Sequence, residues 1–384
     1  MKERLDVMLK DMCDRGDYMG LSVLAAKKGE VLYRRDYGFA DREKGRAQAP
    51  DTIFHLYSMS KPVTAAAVMK LWEDGELDLY DPVSKYLPGF LNQKVRENGE
   101  LVPVKNEVTV RDLLNMTSGI VYPGDEKTPE LNRLFDEAMK RADGPEAFDT
   151  VEFANSIGRT PLMFHPGENW QYGASADVLG AVVQVVSGMR FGDYLKKTFF
   201  EPMGMKDTGF YIPPEKKDRL AVIYRMEPGK EVTEYHGRHL VIMDYEKEPS
   251  FQSGGAGLFS TMDDYLKFAS MLCSKGVYGG TRYLTERTVR YMSSNQLTEK
   301  QLNCMEWQAI TGYGYGNLMR VLLDPCQAAV VTEPGEFGWD GWTGTYMEVN
   351  PAEDVVIMLM TAQIDRDNVC SRRRIRNFIY QHIV

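Results

Sequence analysis

The sequence predicts an α+β fold in which an antiparallel sheet is built from both chain ends and flanked by helices. Three observations predict it. Strand-like runs crowd the two ends of the 384 residues, and helical runs fill the middle. A hydrophobic content of 43% with 26% charged residues is that of a globular chain with ample core material.

Residues 2–15 set Leu5, Met8, Leu9 and Met12 at helical spacing, which predicts a short amphipathic helix. LSVLAAKKG (21–29) and EVLYRRDYGFAD (30–41) are β-rich runs meeting at Lys28-Gly29, an antiparallel hairpin. VTAAAVMKLWEDG (63–75) carries Val63, Ala67, Leu71 and Trp72 on one side, follows Pro62 and stops at Gly75. VTVRDLLNMTSG (108–119) opens strand-like and ends at Gly119. ADVLGAVVQVVSG (176–188) is apolar nearly all round, so a buried helix is expected. TMDDYLKFASML (261–272) has Thr261 as N-cap and acidic residues in its first turn. Residues 122–147 and 224–250, polar and proline-punctuated, read as long surface excursions bordering a pocket. TYMEVNP and DVVIMLMTA give two further strands across a turn near Pro351, and a helix over roughly 371–382 follows. The expected division is a sheet region of 1–57 with 305–384 and a mostly helical region of 58–304.

Composition narrows the function. A net charge of −9, with no basic run, argues against a nucleic-acid partner. The first twenty residues are densely charged, and no run approaches a membrane span; a cytoplasmic location without membrane association is the expectation. Five scattered cysteines without C-x-x-C spacing read as reduced thiols, and neither a metal site nor a cofactor is expected. H-E-x-x-H, G-x-S-x-G, P-loop and dinucleotide fingerprints are all absent.

Ser58-Met59-Ser60-Lys61 carries the chemistry. Three residues apart on a helix is one turn, so hydroxyl and amine share a face. A partly desolvated lysine sheds its proton and can activate the serine as a nucleophile. The plainer alternative makes Ser58 or Ser60 an N-cap and Lys61 a solvated residue. Against it, a first-turn lysine opposes the helix dipole.

The run 51–88 resembles the active-site region of class C β-lactamases and their esterase relatives. So do VRDLLNMTSGI (110–120), PLMFHPGENWQYGASADVLGAVVQ (161–184), EPMGMKDTGF (201–210), SGGAGLFSTMDDYLKF (253–268) and FGWDGWTGTYMEVNP (337–351). The resemblance implies the β-lactamase/DD-peptidase-like fold. It also implies Ser58 as acylated nucleophile, Lys61 beside it, and Tyr172 as a phenol sharing the proton, its pKa lowered by the lysine. The third motif of that family falls on Trp339-Asp340-Gly341, with Gly341 permitting close backbone approach and the N–H groups of Ser58 and Trp342 forming an oxyanion hole.

Two positions depart from β-lactamases. Ala174 replaces an asparagine that holds the substrate amide, and Trp339-Asp340 replace a cation and a hydroxyl that receive a carboxylate. The W-x-G motif resembles that of the β-lactamase-like carboxylesterases, the family VIII esterases. Asp340 is expected to disfavour anionic acyl donors, and Trp170, Trp339, Asp340, Gly341 and Ala174 to border the substrate. The reading is a serine hydrolase of small-molecule carboxylic esters acting through an acyl-enzyme on Ser58. A β-lactamase, a D-amino-acid peptidase or amidase, an acyltransferase using the same residues, and a non-catalytic binding protein are the alternatives. Oligomeric state is not set by the sequence.

Overall fold

In the computed structural model, which describes residues 1–142, 144–237, 239–241 and 247–384, the two chain ends meet in one sheet. In chain order, the elements that position the site begin with helix α1 (Lys2–Asp14) and strands β1 (Gly20–Lys27), β2 (Glu30–Asp41) and β3 (Arg46–Ala47). Helices α2 (Ser60–Glu73), α3 (Pro129–Arg141), α4 (Ser175–Ser187) and α5 (Met262–Cys273) follow. The chain returns through β4 (Tyr313–Gly316), β5 (Met319–Leu322), β6 (Phe337–Asp340), β7 (Tyr346–Asn350), β8 (Val355–Met360) and α6 (Val369–His382). The strands lie in the order β4-β5-β6-β7-β8-β1-β2-β3, every neighbour antiparallel.

The expected hairpin forms. Lys28 (φ 53°) and Gly29 (φ 79°) are both left-handed, the geometry whose twist matches two paired strands. β1 then pairs with β8, Ser22 opposite Met360, which joins the chain ends at the centre of the sheet.

Both sheet faces are covered, so β1 is buried along almost its whole length. On one face Leu5, Leu9 and Met12 of α1 and Ile375 and Ile379 of α6 pack on Leu21, Val23, Ile357 and Leu359. On the other, Leu24, Met358 and Met360 meet a larger core that includes α2, α4 and α5. From Ser60 to Met69, α2 is buried on all sides. α4 packs against it.

The middle differs from expectation in one place that matters. Residues 129–141, read as part of a polar excursion, form α3, with Leu131, Phe135 and Ala138 buried. The i, i+4, i+7 stripe was present, but charge and Pro129 masked it. The strand-like trio at 108–110 makes a single β-bridge, Thr109 with Pro82, and then turns into a short helix, Val110–Leu114, because Thr109 and Asp112 close a capping box.

Leu9→Ala is expected to lower the unfolding free energy by about 2–5 kcal/mol in urea titration, since Leu9 is fully buried under the sheet. Val7→Ala, at an exposed position on the same helix, is expected to change it by less than about 0.5 kcal/mol.

Candidate active site

Ser58 sits in a single 3₁₀ turn, Tyr57–Met59, feeding directly into α2. Tyr57 holds φ 44°, a left-handed conformation costly for a bulky residue, and this sharp entry leaves Ser58 partly accessible between two buried neighbours. Neither serine caps the helix: its N-cap is Met59, and Ser60 Oγ accepts the Leu258 N–H at 3.0 Å.

One turn on, Lys61 is completely buried. Its Nζ lies 3.1 Å from Ser58 Oγ, 2.9 Å from Tyr122 Oη and 2.9 Å from Gly255 O. Burial disfavours the ammonium and pulls the amine down to about 7, opposed only by the charge of Asp177. A neutral amine has two N–H groups and one lone pair, which suits these three neighbours. The Gly255 carbonyl can only accept, so it takes an N–H; the lone pair is left to a hydroxyl.

Tyr172 joins them from the other side. Its phenol lines the same cavity as Ser58 and accepts the Trp339 Nε1–H at 3.0 Å. Its ring lies 4.7 Å below the Lys61 amine and edge-on to Tyr122. Gly173 makes this approach possible, because a Cβ there would strike the backbone of Ile120 and Val121. The expected lowering of the phenol pKa is not found. Burial pushes it up, and the neighbouring lysine, itself neutralised by burial, supplies no cation to pull it down. Tyr172 is therefore a protonated donor, and Lys61 is the group free to accept.

The strand β6 and the turn after it flank the serine as expected. Thr343 Oγ1 donates to His55 O at 3.3 Å and Thr345 Oγ1 to Leu56 O at 3.2 Å, tying the turn to the segment entering Ser58. Gly341 lies so close that a Cβ would collide with Leu56 O and Thr345 Oγ1. The N–H groups of Ser58 and Trp342 have no acceptor among the described residues, which leaves both available to an oxyanion.

Three expectations need correction. Asp340 borders the cavity, but its carboxylate accepts from Arg372 Nη1 at 2.9 Å and lies 4.0 Å from Arg320, so its charge is compensated and cannot repel an anionic substrate as supposed. Ala174 is fully buried at the start of α4, and Trp170 packs edge-on against Tyr315; both lie behind the site, outside the cavity lining. Trp339 faces the cavity with its indole edge, bonded to Tyr172, although the ring is otherwise buried.

The cavity over Ser58 has a volume of about 620 Å³. Its lining includes the apolar side chains of Phe135 and Met139 of α3, Leu240, Trp307 and Trp342, together with the polar Asn368, which precedes α6, and Arg372 within it. Tyr122, Trp307 and Asp177 escaped the sequence reading. Tyr122 lies only two residues beyond the quoted run 110–120, and Asp177 within 161–184, so both stood beside recognised motifs. Elsewhere, Asp41, Glu43 and Glu234 lie close enough together to hold a cation, but Asp41 is paired with Lys44 and Glu43 accepts from Tyr224.

The family model described as Beta-lactamase matches residues 5–378. The chain is 32% identical over 372 residues to Esterase EstB of Burkholderia gladioli, covering 93% of this chain and 89% of that protein. It is 29% identical over 366 residues to Protein Rv1367c of Mycobacterium tuberculosis (strain ATCC 25618 / H37Rv), with 92% and 88% covered. Among solved structures, EstCE1, described as a hydrolase with promiscuous acyltransferase activity, is similar at a TM-score of 0.82 and 25% identity, covering 98% of each chain.

If Lys61 takes the Ser58 proton, the rate of covalent labelling of Ser58 by a fluorophosphonate rises with pH through a midpoint of about 7, as the amine becomes neutral. Intact-mass spectrometry at a series of pH values checks this. A rate flat through neutrality would remove Lys61 from the role.

Proposed function

The chain belongs to the beta-lactamase family, and from that premise we propose that it is a serine hydrolase of carboxylic esters working through an acyl-enzyme at Ser58. The observation that carries this reading is the buried amine of Lys61, 3.1 Å from the serine oxygen and held near neutrality by desolvation. In acylation, neutral Lys61 accepts the Ser58 proton as Oγ adds to the ester carbonyl. The Ser58 and Trp342 N–H groups take the oxyanion. The Lys61 ammonium returns that one proton to the departing alkoxide, while the Tyr172 phenol keeps its own proton and only hydrogen-bonds the leaving oxygen. Water then repeats the sequence in reverse to release the acid.

Tyr122 bonds the same amine on its far side and belongs to the machinery as a group that orients the lone pair toward Ser58. Trp339 aims the Tyr172 hydroxyl by occupying its acceptor side. Esters are favoured over β-lactams and D-amino-acid amides because Ala174 brings no amide into the cavity, and an indole replaces the cation of the third motif.

Acyl transfer to an alcohol is a second reading. Trp307 and Trp342 in the cavity lining offer apolar surface to an acceptor, and EstCE1 is itself described as having such an activity.

Ser58→Ala is expected to abolish turnover of p-nitrophenyl butyrate, and Lys61→Ala and Tyr172→Phe to lower kcat by about 100-fold or more each. Nitrocefin is expected to be turned over far more slowly than the ester. Near-wild-type ester turnover in Ser58→Ala, or faster nitrocefin hydrolysis than ester hydrolysis, would overturn the reading. Added short-chain alcohols, with products separated by chromatography, distinguish transfer from hydrolysis.

A further inference from the structure

The glycine-rich segment 253–257 is wedged between α2 and α4 and gripped from both. From α2, Lys61 Nζ donates to Gly255 O at 2.9 Å and Thr64 Oγ1 to Gly254 O at 2.7 Å. From α4, Asp177 Oδ1 accepts from Ser253 Oγ at 2.5 Å and from the Gly255 N–H at 3.1 Å. One residue, Gly255, therefore has the amine on its carbonyl and the carboxylate on its N–H. There is no slack: a Cβ on Gly255 would sit 2.8 Å from Asp177 Oδ2 and 3.2 Å from Tyr122 Oη.

From this arrangement we propose that Asp177 is a positioning residue of the reaction, holding the Lys61 amine against Ser58 through the backbone of Gly255. The inference rests on the acyl-enzyme reading above. A loop clasp alone would not call for a carboxylate. Asp177 is buried, no lysine or arginine forms an ion pair with it among the described residues, and burying an unpaired charge is costly where a neutral amide could bond Ser253 as well. What the charge adds is a field on the amine. Asp177 lies in the first turn of α4, where the helix dipole favours an anion, and its charge favours the protonated form of Lys61. The carboxyl is itself pushed up by burial, against the Ser253 hydroxyl, the Lys61 charge and the Gly255 N–H. The remaining groups facing the amine are the Tyr122 and Tyr172 phenols, both pushed up by burial and both uncharged at neutral pH, and the Ser58 hydroxyl.

This makes Asp177 a counterweight. It stabilises the ammonium formed when Ser58 is deprotonated, while desolvation returns the amine to its neutral form for the next turnover.

The test compares Asp177→Asn and Ser253→Ala with the unsubstituted protein. Active sites are counted by fluorophosphonate adduct, and kcat per titrated site is measured on p-nitrophenyl butyrate across pH. Asp177→Asn is expected to lower kcat by about 10-fold or more. It is also expected to move the acidic limb to lower pH by about one unit, because the amine loses its anionic neighbour. Ser253→Ala, which keeps the charge, is expected to lower kcat per site with the limb in place. A purely structural role would reduce the number of active molecules and leave kcat per site and the limb unchanged; that result overturns the proposal. If Asp177→Asn does not fold, Ser253→Ala decides alone, wild-type kcat per site being the contrary result. Failure of the unsubstituted protein to form an adduct at Ser58 would instead bring down the acyl-enzyme reading and this inference with it.

Discussion

One constraint organises the site: an amine buried beyond the reach of water beside a serine that remains accessible. Moving the Lys61 pKa from 10.5 to about 7 corresponds to a burial cost on the order of 5 kcal/mol at pH values below both. The direction matters. The penalty applies in full while the amine is protonated in the fold, and it shrinks as pH rises above about 7 toward the value of the unfolded chain. A protein tolerates such a cost only when the surrounding packing is strong. Here α2 is buried on all sides from Ser60 to Met69, and the segment 253–258 is bonded along it through Ser60, Lys61 and Thr64.

The rest of the geometry follows from close backbone approach. Gly341 lets the turn after β6 touch the segment entering Ser58, and Gly173 lets Tyr172 draw up beside Tyr122. Gly254 fits against Ala176 O where a side chain would collide. Three separate stretches of chain thereby converge on one nucleophile. The sheet makes this possible because β6 belongs to the half of the chain that returns to pair, through β7 and β8, with β1.

Much of this was legible in the sequence, for reasons that are local. The S-x-x-K turn, the hairpin at Lys28-Gly29, the helix at 176–188, buried as far as Val183, and the terminal helix are written in spacing of a few residues, and spacing is what a sequence displays directly. Gly341 could be read because only a glycine fits such an approach. What was missed depends on partners far away along the chain. Asp340 looked like a bare charge until Arg372 of α6 was found beside it. Tyr172 was expected to be acidified by a cation, but the burial that sets its own pKa also discharges that cation. Helix α3 was hidden because charge and proline outweighed a three-residue apolar stripe, and with it went Phe135 and Met139 of the cavity lining.

The central claim is that Lys61 is a neutral amine at working pH, and titration of that one nitrogen by NMR in lysine-labelled protein, assigned through Lys61→Arg, tests it most directly. The account predicts a Lys61 resonance titrating with a midpoint of about 7, well below the ordinary lysine value of about 10.4. A Lys61 resonance that moves together with those surface lysines would contradict it.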